Sequence, residues 1–494
     1  MPNLFRATKN LFKSQSTMSS SSNPTPAPTT EPTADQSTDA QPGPAEGPKY
    51  DASKPLDILF LQDATGSQGP YISSARSAIQ SICTKISESA SLSQGAIRFG
   101  LIAFRDHPPQ DTSFVTKNFG FTSDVGTMIT NLASLVASGG GDGPEASTAA
   151  LADALNMEWE EDAVKIVVLI TDAAPHGIGE PGDGFPNGSP DQNDPLEIAR
   201  QMAERGITLY VVACEPSLSR YLNAVDFYKA LCQITSGRMV PLLNAAQLGD
   251  FIVGSAVETV ETEKLINEFQ STILEDVYGQ GKPVEEVIQQ VQQMMAERKT
   301  EIKTFKVENP YEQSRESESN VNVWAQAKSL GNAKGKTQAI QTPRLKKAFQ
   351  SSGGSYGSYG APPPAPTMAR PGASARPMQQ MRQSVSSFGK SWFNGSRTPS
   401  SAPAPPGATA APGAPVDYAA APSYASAPQA QQVSLMSQQV DQSQTNRIVM
   451  QSLMRNAKVG PGGVLTPTGE YSGAKGVQMP QVKSEESDAM DTGA

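Results

Sequence analysis

Three polar side chains stand at alternate positions directly after an apolar run near residue 60. The run is LDILFL, and Asp63, Thr65 and Ser67 follow it. A continuous apolar run of this length is typical of a strand that is buried on both faces of a parallel sheet. Because open α/β sheets bind ligands beyond the carboxyl ends of their strands, these three side chains are candidate ligands.

Two later stretches offer more oxygen atoms. KIVVLI leads into Thr171 and Asp172, and the glycine-rich stretch GGGDGPE contains Asp142 and Glu145. In a parallel sheet Asp63 and Asp172 would lie close together, where two carboxylates repel unless a positive charge lies between them. Oxygen ligands of this kind suit Mg²⁺ or Mn²⁺, and Ca²⁺ if the coordination is looser. The pattern therefore predicts a divalent-cation site.

Other interpretations of these residues stay open. Asp63, Ser67 and Asp172 are also residue types that cap helix N-termini. The glycine-rich stretch has neither GxxxxGK[ST] nor a strand-linked GxGxxG pattern, which argues against a nucleotide site. His107 and His176 come without an HExxH or CxxC motif, so both are expected to be surface groups or neighbours of a site.

The elements that must position these residues run from Leu56 to about Val260. Apolar strand-like runs alternate there with amphipathic helical segments, and the central strands are continuously apolar. This alternation predicts an α/β fold with a doubly wound, mostly parallel sheet. FVTKNFGF, from Phe114 to Phe121, alternates as a half-exposed edge strand should.

The remaining chain has a different character. The 494 residues include 40 Pro and 41 Gly, and only 37% are hydrophobic. We predict a disordered leader over 1–55, a domain over 56–260, a helical extension over 261–305 and a disordered, basic, Pro/Ser/Gly-rich tail over 306–494. Within this tail, Asn446–Asn456 has the apolar spacing of a short helix that forms on binding a partner.

Charge and composition exclude several classes of protein. The net charge of −10 argues against general nucleic-acid binding, although RNA or lipid contact by the basic tail stays an alternative. No apolar run reaches the roughly 18 residues of a membrane span. Three cysteines without a CxxC pattern favour a reducing, cytoplasmic location. The first residues, MPNLFRATKNLFKS, could make weak membrane contact.

The order of the motifs resembles that of a von Willebrand factor type A domain. DATGS, GGGDGPE and TDAAPHG stand in that order over about two fifths of the chain, and with FRDHPPQD they resemble the domains in fungal proteins and beside alpha-kinase domains. The resemblance implies a metal-ion-dependent adhesion site that binds a protein ligand. It also implies that Thr65 and Ser67 bind the cation directly, and that Asp63 and Asp172 act through water.

The glycine-rich stretch departs from the adhesive members of that family. They offer a threonine, whereas this sequence offers Asp142, with Glu145 and Thr148 close behind. A third carboxylate would leave less positive charge on the metal, so an acidic partner side chain would be needed less. We expect a non-enzymatic interaction module whose metal ligands are Asp63, Thr65, Ser67, Asp142 and Asp172. A kinase-associated or other enzyme-complex regulator is the alternative.

Overall fold

The computed structural model describes residues 54–89, 97–342, 344–350 and 433–480. Residues 1–53 of the expected leader lie outside this range. The strands are β1 (Leu56–Asp63), β2 (Ile97–Phe104), β3 (Thr116–Thr122), β4 (Val164–Thr171), β5 (Ile207–Cys214), β6 (Met239–Leu242), β7 (Glu301–Val307), β8 (Val433–Gln439), β9 (Ala457–Val459), β10 (Val464–Pro467) and β11 (Val477–Gln478). The helices are α1 (Gly69–Ser89), α2 (Val125–Ala133), α3 (Ser147–Leu155), α4 (Pro195–Glu204), α5 (Ala224–Ile234), α6 (Leu248–Leu274), α7 (Val284–Glu297), α8 (Arg315–Gln326), α9 (Leu330–Ala333) and α10 (Gln442–Met454).

A six-stranded sheet in the order β3-β2-β1-β4-β5-β6 forms the centre of the fold. All its neighbouring strands are parallel except β3, which pairs antiparallel with β2 at the edge. The predicted doubly wound, mostly parallel sheet is thus confirmed. Because β1 and β4 are parallel neighbours, their carboxyl ends lie at the same sheet edge.

Helices cover both faces of this sheet. Side chains of β1 alternate between the two faces, as the period of two in a strand requires. Leu56, Ile58 and Phe60 join the apolar core that includes residues of α1, α2 and α6. Leu59 and Leu61 join the opposite core, which includes residues of α3, α4 and α5. The continuous apolar run in β1 is therefore explained by burial on both sides.

The chain beyond residue 260 differs from its expected form. Helix α6 continues to Leu274, and one turn of π-helix, Glu275–Gly279, follows it. Helix α7 ends at Glu297, and Glu301–Val307 then forms β7, which pairs antiparallel with β8. Strand pairing with a segment that lies more than 120 residues away competes successfully with the local helical pattern.

Two parts of the expected tail fold against the domain. Trp324 of α8 is buried, and its ring meets Phe227 of α5 edge to face at 5.2 Å. Near it the buried Asp226 forms an ion pair with Arg344 at 2.6 Å. The second part begins with β8 and α10, and the apolar face of α10 joins a third core with residues of α6 and α7. The remaining expected tail, residues 351–432 and 481–494, lies outside the described range.

Candidate metal centre

The four oxygen-bearing residues predicted after β1 and β4 meet at the shared strand edge. Asp63 is the last residue of β1, and Asp172 follows the last residue of β4. Thr65 and Ser67 lie in the turn between β1 and α1, where Gly66–Gln68 forms a short 3₁₀ helix. The sheet register therefore brings together residues that are separated by more than 100 positions in the sequence.

Asp63 is buried and accepts three hydrogen bonds. Its Oδ1 accepts from the backbone N–H of Thr65 at 2.9 Å and from the Thr65 hydroxyl at 2.6 Å. Its Oδ2 accepts from the hydroxyl of Thr171 at 2.8 Å. Burial and the charge of Asp172 nevertheless raise the pKa of Asp63 to about 7. The hydrogen bonds thus do not fully compensate for the loss of water around this carboxylate.

Asp172 is held in a similar way. Its Oδ1 accepts from the Ser67 hydroxyl at 2.9 Å and from the side-chain amide of Gln68 at 2.8 Å. Ser67 itself is exposed to solvent, whereas Asp63, Thr65 and Asp172 are buried. The arrangement consists of two hydroxyl–carboxylate pairs, Thr65 with Asp63 and Ser67 with Asp172, with one hydroxyl open to the surface. It can receive a hard cation that remains accessible from outside.

Glu145 is the carboxylate of the glycine-rich stretch that lies beside this group. A Cβ atom built on Gly140 would come within 2.6 Å of Glu145 Oε1 and 3.5 Å of Thr65 Cβ, which shows how closely the two side chains approach. Burial, followed by the charge of Asp63, raises the pKa of Glu145 to about 10. Its Oε2 is buried and has no hydrogen-bond partner within the described part of the chain.

Asp142 has different neighbours. Its Oδ2 accepts a short hydrogen bond from the backbone N–H of Gly184. Burial raises its pKa, and the charges with the largest effect on this pKa belong to Asp106 and His176. The structure therefore brings four of the five predicted ligands together and puts the fifth with Asp106 and His176.

The group of Asp106, Asp142 and His176 was not predicted as a unit. One possible ligand atom from each lies within 4.8 Å of the others, and Asp106 and His176 are buried. His176 Nε2 lies 2.7 Å from Asp106 Oδ1, and His176 Nδ1 lies 2.8 Å from Asp183 Oδ1. The sequence did contain a signal for this group, because Asp106 follows the end of β2 and His176 follows the end of β4. Residues in these two positions are expected at the same end of a parallel sheet.

The loop of residues 177–194 is held against the domain by its acidic side chains. Asp183 accepts from the backbone N–H groups of Gly177 and Phe185. Glu180 accepts from those of Leu222 and Asn223. Such bonds hold the loop in one conformation without regular secondary structure.

One apolar side chain is exposed near the four predicted metal ligands that follow β1 and β4. Val136 follows α2 and is 65% exposed. Its backbone C=O accepts from Arg105, and two residues later the N–H of Ser138 donates to Ala64 C=O, beside Asp63. Val136 thus lies on a segment that is fixed to the site.

Comparison with known proteins assigns the class of this domain. Residues 57–241 match the family model of the von Willebrand factor type A domain. The chain therefore contains a domain of this family, as its sequence motifs predicted. The matched segment covers the six strands of the central sheet up to Pro241 in β6.

Two named relatives share this region. The chain is 30% identical over 238 residues to a protein of Acanthamoeba polyphaga mimivirus that carries the name of an ariadne-like RING finger protein, covering 45% of this chain and 22% of the relative. It is 31% identical over 143 residues to the alpha-protein kinase vwkA of Dictyostelium discoideum, covering 28% and 22%. The chain thus spans less than a quarter of either relative's length.

A solved structure is also similar. The pilus adhesin SpaC of Lactobacillus rhamnosus GG, in its open conformation, gives a TM-score of 0.32 at 13% identity, covering 42% of this chain and 30% of the adhesin. As for membrane insertion, none of the helices within the described residues has the length and apolar character to cross a bilayer.

Proposed function

We propose that Asp63, Thr65, Ser67 and Asp172 hold a divalent cation, preferably Mg²⁺, with Mn²⁺ or Ca²⁺ as substitutes, and that a protein ligand binds there. The observation that carries this proposal is the double hydroxyl–carboxylate pair at one strand edge. Domains of this family are generally protein-interaction modules. The proposed activity is therefore binding, not catalysis.

The residues present fit such a cation. A hydroxyl that donates its only proton to a carboxylate keeps its lone pairs for another partner, and this holds for both Thr65 and Ser67. Asp63 and Asp172 are buried close together, and a cation would offset their repulsion. Glu145 adds a further buried carboxyl group close to Thr65, and its Oε2 has no hydrogen-bond partner within the described part of the chain. When bound, the cation would offer a coordination position to an oxygen of the partner.

The surface around the group suits a protein partner. Ser67, Gly139 and Gly141 are exposed, so glycine backbone lies beside the exposed hydroxyl. Val136 supplies an apolar contact beside this polar entrance. Because hard cations take oxygen ligands, we expect the partner protein to place a carboxylate at this opening.

A second candidate is a subunit that regulates an enzyme complex. The two relatives named above carry the names of a RING finger protein and of an alpha-protein kinase. On this proposal the chain recruits such an enzyme without performing its chemistry. We further propose a cytoplasmic location, because Cys214 and Cys232 are buried free thiols of the kind found in reducing compartments. Binding of RNA or lipid by the basic tail stays an alternative, and residues 351–432 and 481–494 of this tail lie outside the described range.

Chelation tests the leading proposal. Mg²⁺ added to the chelator-treated chain should raise its melting temperature, since a ligand that binds the folded state stabilises it. The double variant Asp63→Ala, Asp172→Ala should lose this rise and should capture less partner in a pull-down without EDTA. Asp162→Ala, an exposed aspartate before β4 at the opposite sheet edge, is the matched control and should behave as wild type. An equal rise in the double variant would refute the site.

A further inference from the structure

Beside the proposed magnesium site, Asp106, Asp142 and His176 form a compact group with mixed oxygen and nitrogen ligands. The group is not an ordinary surface cluster of acids, because Asp106 and His176 are only 0% and 1% exposed. It lies where three loops meet, after β2, after β4 and within the glycine-rich stretch. We infer that these three residues form a second cation site, specific for a transition metal such as Zn²⁺.

The backbone fixes one oxygen of each carboxylate and leaves the other free. Asp106 Oδ1 accepts from the N–H of His107 at 2.6 Å, and Asp142 Oδ2 accepts from that of Gly184. The remaining oxygens, Asp106 Oδ2 and Asp142 Oδ1, are buried and have no hydrogen-bond partner among the described residues. A buried carboxylate oxygen without a partner costs free energy, and a cation would satisfy both atoms at once.

The imidazole of His176 is oriented as a metal ligand would be. Its Nδ1 lies 2.8 Å from Asp183 Oδ1, and Asp183 is itself held by the N–H groups of Gly177 and Phe185. With the proton on Nδ1, the Nε2 lone pair faces Asp106 Oδ1 at 2.7 Å, and this separation would widen as a cation binds between the two side chains. A carboxylate that accepts from the far nitrogen of a histidine is the usual support of a histidine ligand to zinc.

An ion pair between a protonated His176 and its two aspartates accounts for part of this geometry. It explains the contacts of His176 with Asp106 Oδ1 and Asp183. It leaves Asp106 Oδ2 and Asp142 Oδ1 without partners, however, and gives no reason for a third carboxylate nearby. A metal accounts for all three side chains.

The ligand types select the metal. One imidazole nitrogen with two carboxylate oxygens suits Zn²⁺ and related ions, whereas Mg²⁺ and Ca²⁺ prefer oxygen alone. At the tetrahedral angle, zinc–ligand distances of about 2.0–2.2 Å place ligand atoms roughly 3.3–3.6 Å apart. Since the three possible ligand atoms lie within 4.8 Å of one another, binding requires shifts of up to about 1.5 Å in the loops that carry them. Three protein ligands leave a fourth position for water or a partner.

The two histidines of the chain make a direct test possible. The full-length chain, stripped of metal and kept in excess Mg²⁺, is titrated with Zn²⁺ while the imidazole nitrogens are followed by NMR. One equivalent should shift the resonances of His176 strongly and those of His107 weakly. Assignment uses His107→Gln, which leaves the proposed ligands in place. If the His176 resonances do not move after one equivalent of Zn²⁺, the inference is wrong.

Variants separate this site from the magnesium site. His176→Gln should abolish the tight binding of one equivalent of Zn²⁺. Asp183→Asn should lower the Zn²⁺ affinity by about 10–100-fold, as loss of a carboxylate that supports a histidine ligand does in other metal sites. The Asp63→Ala, Asp172→Ala variant should still bind one equivalent of Zn²⁺ tightly, even if Mg²⁺ no longer raises its melting temperature. The proposal of a second site would be wrong if His176→Gln bound Zn²⁺ as tightly as wild type. It would also be wrong if tight Zn²⁺ binding were lost only in the Asp63→Ala, Asp172→Ala variant. If His176→Gln does not fold, the NMR titration of the wild type still shows whether His176 binds Zn²⁺.

Discussion

At the scale of single residues, the candidate magnesium site depends on two hydroxyls that are oriented by two carboxylates. The two pairs differ in exposure, since Ser67 faces solvent whereas Thr65 is buried. Thr65 also donates its backbone N–H to Asp63, so its position has two anchors. Ser67 is therefore the better residue to change in order to perturb cation binding without disturbing the core.

Ser67→Ala should weaken Mg²⁺ binding while leaving the fold intact. The change removes a hydroxyl proposed to bind the cation, and losing a polar contact with a charged group costs about 1.5–3 kcal/mol, so the affinity should fall roughly tenfold or more. Calorimetric titration with Mg²⁺ measures this. Ser73→Ala, at an exposed position of α1, is the control. Equal affinities in the two variants would contradict the role of Ser67.

Val136→Ser should reduce partner binding and leave Mg²⁺ binding unchanged. The exposed side chain makes no hydrogen bond to the proposed metal ligands, whereas complete burial of a valine side chain at an interface contributes about 1.5 kcal/mol. A pull-down in Mg²⁺ with quantified partner recovery, paired with the Mg²⁺ titration, separates the two effects. Full partner recovery would mean that the interface lies elsewhere on the domain.

At the scale of elements, one buried glutamate connects four parts of the fold. Glu258 of α6 forms ion pairs with Arg238, which precedes β6, and with Arg447 of α10. It also accepts a hydrogen bond from the Thr304 hydroxyl of β7. Burial by itself would raise the pKa of Glu258, but the charges of Arg447 and Arg238 outweigh it and lower the pKa to about 2.

Glu258→Gln should destabilise the chain by about 3–5 kcal/mol at neutral pH, because it leaves two arginines without their buried partner. Urea unfolding measures the change. Glu261→Gln, which disrupts only a surface pair with Lys264 on the same helix, should cost less than about 1 kcal/mol. A similar loss in both variants would show that Glu258 is not the connecting residue.

Wild type and the Glu258→Gln variant should also differ in how their stability depends on pH. The unfolded chain protonates Glu258 near its ordinary pKa of 4.5, whereas the folded chain does so only near 2. The stabilisation is therefore complete above about pH 5 and is lost as the pH falls from there toward 2. The difference in unfolding free energy between wild type and Glu258→Gln should shrink over this range. A difference that stays constant with pH would refute the assignment.

At the scale of the whole molecule, residues 433–480 complete a core that the rest of the chain leaves open. Ile448 and Leu453 of α10 are fully buried against apolar residues of α6 and α7. Strand β8 pairs along the whole of β7. The entropic cost of such a distant closure grows only slowly with chain length, by about 0.6 kcal/mol for each doubling, so a long connection is tolerated.

Ile448→Ala should lower the free energy of unfolding by about 2–5 kcal/mol, the usual cost of a cavity in a packed core. Chemical unfolding of the full chain measures it. Gln442→Ala, at an exposed position of the same helix, should change it by no more than about 0.5 kcal/mol. If the two variants are equally stable, α10 does not contribute to the core in solution.

Local patterns in the sequence determined much of this protein. The continuous apolar runs of β1 and β4 predicted a two-sided parallel sheet, and the polar residues after them predicted where a site would form. Asp63, Thr65, Ser67 and Asp172 could be grouped in advance because parallel strands bring their carboxyl ends to one edge. Strand periodicity and strand direction are properties that a short stretch of sequence carries.

Only the tertiary structure decided which loops face each other. Asp142 follows no strand, so nothing local indicates that it lies with Asp106 and His176 rather than with Asp63. The sequence also did not predict where α10 packs. Its apolar face predicts a partner, but it does not identify that partner as α6 of the same chain. Such contacts depend on packing between segments far apart in sequence, and residue spacing within one segment cannot specify them.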